Sequence, residues 1–291
     1  MTVYRTFLFA PGNHARRVEK AFTIGADGVI LDLEDAVAIS EKPTTRALVT
    51  AALKLPRSCK GYVRVNATST EWGFADLLAV VQPGLDGIIL PKVEDADQLK
   101  AADWAITALE RERGLKIGGI DLIPIVETAQ GLTRLEAIAR AGTRTRRIAF
   151  GAGDMTLDLG MTWTREETEL APIRTQFVVL SRAAGLEPPL DTVWADLRDP
   201  EGFLRSVELV RSLGFQGKMC IHPDQVPVAN TAFAPTAAQV EEAKKFVAAF
   251  AAAEAKGLAS IQLDGKFIDY PIVYAAQRLL DRATAIADAT Q

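Results

Sequence analysis

LIPIVET, Leu122–Thr128, is an apolar and largely β-branched run that ends in one carboxylate, Glu127. Ala129-Gln130-Gly131 follows, and then an apolar-periodic segment. A buried parallel strand that delivers an acid at its C-terminal end reads this way. Further on, RIAFG at 147–151 repeats the design and leads through Ala152-Gly153 to Asp154. Two carboxylates at the ends of neighbouring strands point to a site for a hard cation.

Outward from that pair, six more short strand-like runs appear: Thr6–Ala10, Gly28–Leu33, Gly61–Val65, Gly87–Leu90, a weak one within Leu190–Trp194, and Lys218–Ile221. Helical patterns separate most of them, near Ala15–Ile24, Lys42–Leu53, Trp72–Val81, Ala96–Arg113, Leu132–Arg140, Glu166–Ala184 and Pro200–Leu213. Asp154 and Asp158 fall in a loop on this reading. Strands alternating with helices give parallel strands with right-handed crossovers. Eight such units predict an α/β fold, a TIM (β/α)8 barrel over residues 1–224. An open doubly wound sheet is the alternative, but no GxGxxG opens a helix. Residues 225–291 form a C-terminal helical extension, a lid or oligomer contact. In it a helix over Thr236–Lys256, a loop over Leu258–Tyr270 and a helix over Pro271–Asp288 follow one another.

Side chains alternate across a strand. Tyr62, Arg64 and Asn66 therefore share one side and Val63 and Val65 the other, so Arg64 and Asn66 are expected to point to the barrel mouth. Ile123, Ile125 and Glu127 share a side, as do Asp32 and Glu34.

The chain has 291 residues, 48% hydrophobic and 24% charged, with net charge −4. That suits a globular protein with a large core and gives no global basic bias towards nucleic acid or membrane. Cys59 and Cys220 lack metal-ligand spacing, and a reducing, cytoplasmic location is expected. The most apolar later stretch, Phe246–Ala255, falls short of the roughly 20 residues that span a bilayer.

Active sites of such barrels lie at the C-terminal strand ends. Asn13, Glu34, Asp35, Arg64, Lys92, Glu127, Asp154 and His222 fall there. Glu127 and Asp154, without histidine or cysteine support, fit Mg2+ better than structural zinc, or else each is a helix N-terminal acid or a salt-bridge partner. Glu34 and Asp35 either orient metal-bound water or cap the next helix. Arg64, a cation on a barrel strand, needs an anionic partner. That partner is a substrate carboxylate or enolate, or else Glu34 or Glu127. Pro11-Gly12-Asn13 opens a helix bearing Arg16, Arg17 and Lys20, which suits a phosphate-bearing ligand or is simply a turn. His222 reads as a structural hydrogen-bonding group or a general base. Lys92, the only lysine near a strand exit, reads as one end of a loop salt bridge.

Several motifs together resemble one family. RTFLFAPGN at 5–13, GVILDLEDAV at 28–37, YVRVN at 62–66, GIILPKVE at 87–94, IPIVETAQG at 123–131, FGAGDMTLDLG at 150–160 and GKMCIHPDQV at 217–226 occur in the family's order. DGKFIDYP at 264–271 extends the match into the tail. The set resembles the citrate lyase β-subunit-like group of the HpcH/HpaI aldolase superfamily. The resemblance implies a TIM barrel binding Mg2+ through Glu127 and Asp154, with Glu34 and Asp35 supporting the metal shell. On the same resemblance Arg64 would contact the keto acid or enolate, and Asn13 and Arg17 would lie near the phosphates of coenzyme A. The resemblance also implies that Asp269, supplied by a neighbouring subunit of a homotrimer or higher homo-oligomer, would be the matching catalytic acid. The implied activity is a reversible Claisen-type carbon–carbon lyase. Its acyl-CoA substrate, citramalyl-CoA or malyl-CoA, gives acetyl-CoA plus the keto acid pyruvate or glyoxylate. A citryl-thioester lyase subunit, a malyl-CoA-type thioester hydrolase and a non-catalytic binding barrel are the alternatives. The retained tail favours the free coenzyme A enzyme over the citryl-thioester subunit.

Overall fold

Eight parallel strands close into a barrel in sequence order, β1 pairing with both β2 and β8. The structure is a computed structural model and describes residues 3–289. In chain order the barrel comprises β1 (Thr6–Pro11), α1 (Ala15–Ala21), β2 (Gly28–Asp32), α2 (Lys42–Ala52), β3 (Lys60–Arg64) and α3 (Gly73–Val80). Next come β4 (Gly87–Leu90), α4 (Ala96–Glu112), β5 (Asp121–Val126), α5 (Ala129–Thr133), α6 (Leu135–Ala139), β6 (Ala149–Phe150) and α7 (Ala152–Leu159). Then α8 (Ala171–Ala183), β7 (Leu190–Asp191), α9 (Pro200–Leu213), β8 (Gly217–Cys220) and α10 (Gln225–Phe233) complete the circuit. The described chain divides into two compact units, one over Tyr4–Asn230 and one built on the residues from Thr231 onward.

The strands carry apolar residues on both sides because helices cover the outside and other strands the inside. Phe7, Ile30, Tyr62, Ile89, Ile123, Ile125, Ala149, Leu190 and Met219 fill the interior with Tyr4. Phe7 and Tyr62 meet edge to face at 4.9 Å. Gly87 makes room for them, since a Cβ there would lie 2.1 Å from the Tyr62 ring. At the N-terminal end Arg147 stacks on Tyr4 at 4.6 Å and Tyr62 Oη donates to Asp121, closing the floor. The mouth at the other end is left for polar groups.

The parity read from sequence holds within β3 and β5 and fails just beyond β3. Tyr62 is interior and Arg64 stands above it on the same side. Asn66 departs from the expectation. Its amide donates to Leu33 O and Asp76 Oδ2, and its oxygen accepts from Lys42 Nζ at 2.7 Å. β3 ends at Arg64, so alternation no longer governs Asn66, and α2 and α3 supply its partners.

Two further expectations are corrected. The segment holding Asp154 and Asp158 is helix α7, closed by Gly160 at φ 64°. The long helix after it begins at Ala171, where Pro172 sits in the first turn. In the C-terminal unit, α11 (Ala237–Glu254) and α12 (Tyr270–Ala289) flank a hairpin and not a loop. The hairpin pairs β9 (Ser260–Leu263) with β10 (Lys266–Asp269). Asp264 and Gly265, at φ 49° and 76°, form its two-residue turn.

Under α8 and α9, Arg174, Glu167, Asp191 and Lys218 form a fully buried network joining β7 and β8 to the loop after α7. Burial pushes the Asp191 carboxyl up, but Lys218 and Arg174 more than offset this and hold it below the usual range. The network satisfies its own charges and leaves the mouth free of them.

Candidate active site

Glu127 follows β5 directly and is 4% exposed, so its charge has little water to solvate it. Its Oε1 accepts the main-chain N–H of Lys92 at 2.9 Å. Burial, then Asp154 and Glu34 nearby, pushes its carboxyl up to about 8. Gly151, after β6, lets Glu127 stand there. A Cβ on Gly151 would lie 2.3 Å from Glu127 Oε2 and 2.8 Å from Glu127 Cβ.

Arg64 is held by a two-pronged pair to Asp32, Nε to Oδ1 at 2.7 Å and Nη2 to Oδ2 at 2.6 Å. Its Nη1 reaches Glu34 at 2.9 Å and Asp35 at 3.4 Å, and its guanidinium covers the Phe9 ring at 4.9 Å. Asp32 is buried and also accepts the N–H groups of Glu34 and Ala36. Burial pushes its carboxyl up; Arg64 more than offsets this and keeps it below the usual range. Lys92 reaches into the same group of acids. Its Nζ lies 2.6 Å from Glu34, 3.5 Å from Asp35 and 3.8 Å from Asp154. Asp154 sits in the first turn of α7 and is one-third exposed.

Two cavities open beside this cluster. One, of about 330 Å³, is lined by Phe9, Pro11, Asp32, Ala36, Arg64, Val193 and Ile221. The other, of about 480 Å³, shares Phe9, Pro11 and Ile221 and adds Arg17, Lys20 and His222. Acidic cluster, apolar cavity and basic cavity thus adjoin in that order. Asn13 is tied to Glu41, its amide donating at 2.7 Å. His222 accepts the N–H of Asp224 at 3.3 Å.

The family description HpcH/HpaI aldolase/citrate lyase matches residues 5–223, which is nearly the whole barrel unit. The chain belongs to that family. It is 38% identical over 285 residues to citrate lyase subunit beta of Haemophilus influenzae, covering 97% of this chain and 98% of the relative. It is 35% identical over 286 residues to a (3S)-malyl-CoA thioesterase of Cereibacter sphaeroides, covering 98% and 96%. A crystal structure of the protein CitE from Mycobacterium tuberculosis, in complex with magnesium, acetoacetate and coenzyme A, superposes with TM-score 0.76 at 29% identity. That match covers 97% of this chain and 98% of the other. Within the family the tail does not separate the candidate activities, because the match to the citrate lyase subunit also runs through the C-terminal unit. The expectation that it favours a free coenzyme A enzyme therefore loses its support.

The residues fit a hard divalent cation. Five carboxylates, Asp32, Glu34, Asp35, Glu127 and Asp154, face two cations, Arg64 and Lys92. Glu127 is buried as an acid whose neighbours are acids, a situation that a cation relieves. Among the described residues no group of three or more His, Cys, Asp or Glu side chains forms a ready ligand set. Mg2+ uses one or two carboxylates and fills its shell with water and substrate oxygens, so Glu127 with Asp154 suffices in kind.

The structure thus brings together Glu34, Asp35, Arg64, Glu127 and Asp154, and puts Arg17 on the adjoining cavity. Asp269 stands in the C-terminal unit at the end of β10, where its Oδ1 accepts the N–H of Ile272. Two residues that matter at the mouth carried no such weight in sequence. Asp32 reads as part of an apolar strand, though its parity with Glu34 marks it. Lys92 does form salt bridges, but all of them are inside the acidic cluster. Among the described residues no helix is long and apolar enough to cross a membrane.

Gly151→Ala tests how closely the glycine constrains Glu127. The added methyl has to displace the carboxylate, and a shift on the order of 1 Å at a reacting centre costs about 100-fold in rate. Steady-state kinetics should show that loss, with circular dichroism reporting an unchanged secondary structure.

Proposed function

We propose that this chain is a Mg2+-dependent carbon–carbon lyase acting on a 3-hydroxy-3-carboxyacyl thioester, with citramalyl-CoA or malyl-CoA as substrate. The observation that carries this reading is the gathering of Glu127 and Asp154 with Arg64 and Lys92 in one cluster, beside an apolar cavity that continues into a basic one. Glu127 and Asp154 would hold the metal, with Glu34 and Asp35 supporting its water shell. Bound there, Mg2+ supplies a Lewis acid for the oxygen that becomes the keto-acid carbonyl.

This chain's own residues account for the rest. Breaking the carbon–carbon bond leaves its electron pair on the thioester as an enolate, while the hydroxyl that becomes the keto-acid carbonyl gives its proton to a carboxylate of the acidic cluster. Arg64, oriented by Asp32 through both carboxylate oxygens, presents fixed N–H donors to that developing charge. The apolar walls of Phe9, Val193 and Ile221 exclude water from it. Arg17 and Lys20 of α1 attract the phosphates of coenzyme A at the far end, with Asn13 in the loop that opens that helix. Asp269, from the C-terminal unit of a neighbouring copy in a homo-oligomer, protonates the enolate carbon, and in condensation removes the same proton.

A second reading is the same bond cleavage on a citryl thioester, giving oxaloacetate. The 38% identity to a citrate lyase β subunit over nearly the full chain favours it. Incubation with Mg2+ and a panel of citramalyl-, malyl- and citryl-CoA, with product identification, tests both. A free keto acid with acetyl-CoA is expected from one of them, and EDTA should abolish its release. A free hydroxy acid with coenzyme A thiol would make the protein a hydrolase. No turnover of any member, or turnover indifferent to EDTA, would sink the lyase reading.

A further inference from the structure

The lyase reading leaves Lys92 without a part, yet its ammonium meets three of the acids at the mouth, as many as Arg64 does. Lys92 follows β4 with φ 53°, a left-handed conformation that side chains beyond glycine adopt under constraint. Both its ends are tied. Its main-chain N–H donates to Glu127 Oε1 at 2.9 Å. Its ammonium lies 2.6 Å from Glu34, 3.5 Å from Asp35 and 3.8 Å from Asp154. One residue thus touches both carboxylates of the metal pair, Glu127 through the backbone and Asp154 through charge. The side chain is 37% exposed, so the ammonium has water beside it.

We infer that Lys92 is a built-in counter-ion of the metal centre, a positioning residue whose ammonium holds the acids together without metal and competes with Mg2+ for them. This rests on Glu127 and Asp154 being the metal pair. The two ends act differently. The backbone N–H orients Glu127 whichever cation is present. The ammonium, a compact charge on a flexible four-carbon stem, repels an arriving divalent ion and can turn towards solvent. Without metal Lys92 therefore keeps Glu34, Asp35 and Asp154 from repelling one another, and weakens Mg2+ binding in doing so.

Lys92→Met keeps the stem length and the backbone N–H and removes only the charge. Calorimetric titration of the purified protein with Mg2+ is expected to give a Kd at least about tenfold lower for Lys92→Met than for wild type, given the interaction of unit charges at this separation. Lys92→Arg, which keeps the charge, should stay near wild type. The Tm of metal-free Lys92→Met should fall, and saturating Mg2+ should raise it more than it raises wild type. Lys92→Gln provides a second uncharged variant where Met folds poorly. An unchanged or higher Kd in the uncharged variants, or an equal Mg2+-induced Tm gain, overturns the inference. If wild type and Glu127→Gln bind Mg2+ alike, the metal pair itself is wrong and the inference falls with it.

Discussion

Glu127→Gln is expected to lower kcat/KM by on the order of 10²–10³-fold or more, the scale at which one preorganised electrostatic group is lost from an active site. The amide keeps the shape and can still accept the Lys92 N–H, so the loss reports charge. The same variant should bind Mg2+ far more weakly in a direct titration, because one of two carboxylates has gone. Its metal-free stability should not fall. Glu127 is a buried acid pushed up to about 8 by burial and by Asp154 and Glu34, so neutralising it removes repulsion. Loss of activity with retained or increased Tm would place the effect in the site. Retained activity at ambient Mg2+ would remove Glu127 from the centre.

The second large effect is at Arg64. Arg64→Ala leaves Asp32, 1% exposed, without its counter-charge. Breaking a buried pair from one side costs about 3–5 kcal/mol. Activity should vanish as well, since the N–H donors for the enolate are gone. The two losses separate in a double variant. Arg64→Ala with Asp32→Asn removes the orphaned charge and keeps an acceptor for the Glu34 and Ala36 N–H groups, so urea denaturation should show most of the stability restored. Activity should stay at background. Restored turnover in the double variant would mean that Arg64 serves the fold alone.

How far the site was legible follows from the physics of each residue. Glu127 and Asp154 stood out because each ends an apolar run, and strand alternation carried Arg64 to the mouth. Asn66 shows the limit of that rule: past the last paired residue, Lys42 and Asp76 redirect it. The hairpin of the C-terminal unit was passed over because its strands are short and half exposed, so no apolar alternation marks them. Its Asp264-Gly265 turn was the available signal. α7 was missed because it is only eight residues long and carries Gly153.

By itself the sequence determined the barrel, its strand order and the acids at its rim. Buried parallel strands must be apolar, and local periodicity records that burial. Only the tertiary structure decided what those acids do to one another. Asp32 meets Arg64 from a neighbouring strand, Lys92 meets Glu34 and Asp154 from others, and Gly151 clears the space in which Glu127 stands. Coulomb energies and steric clashes depend on distances between residues far apart in the chain, and closing the barrel sets those distances.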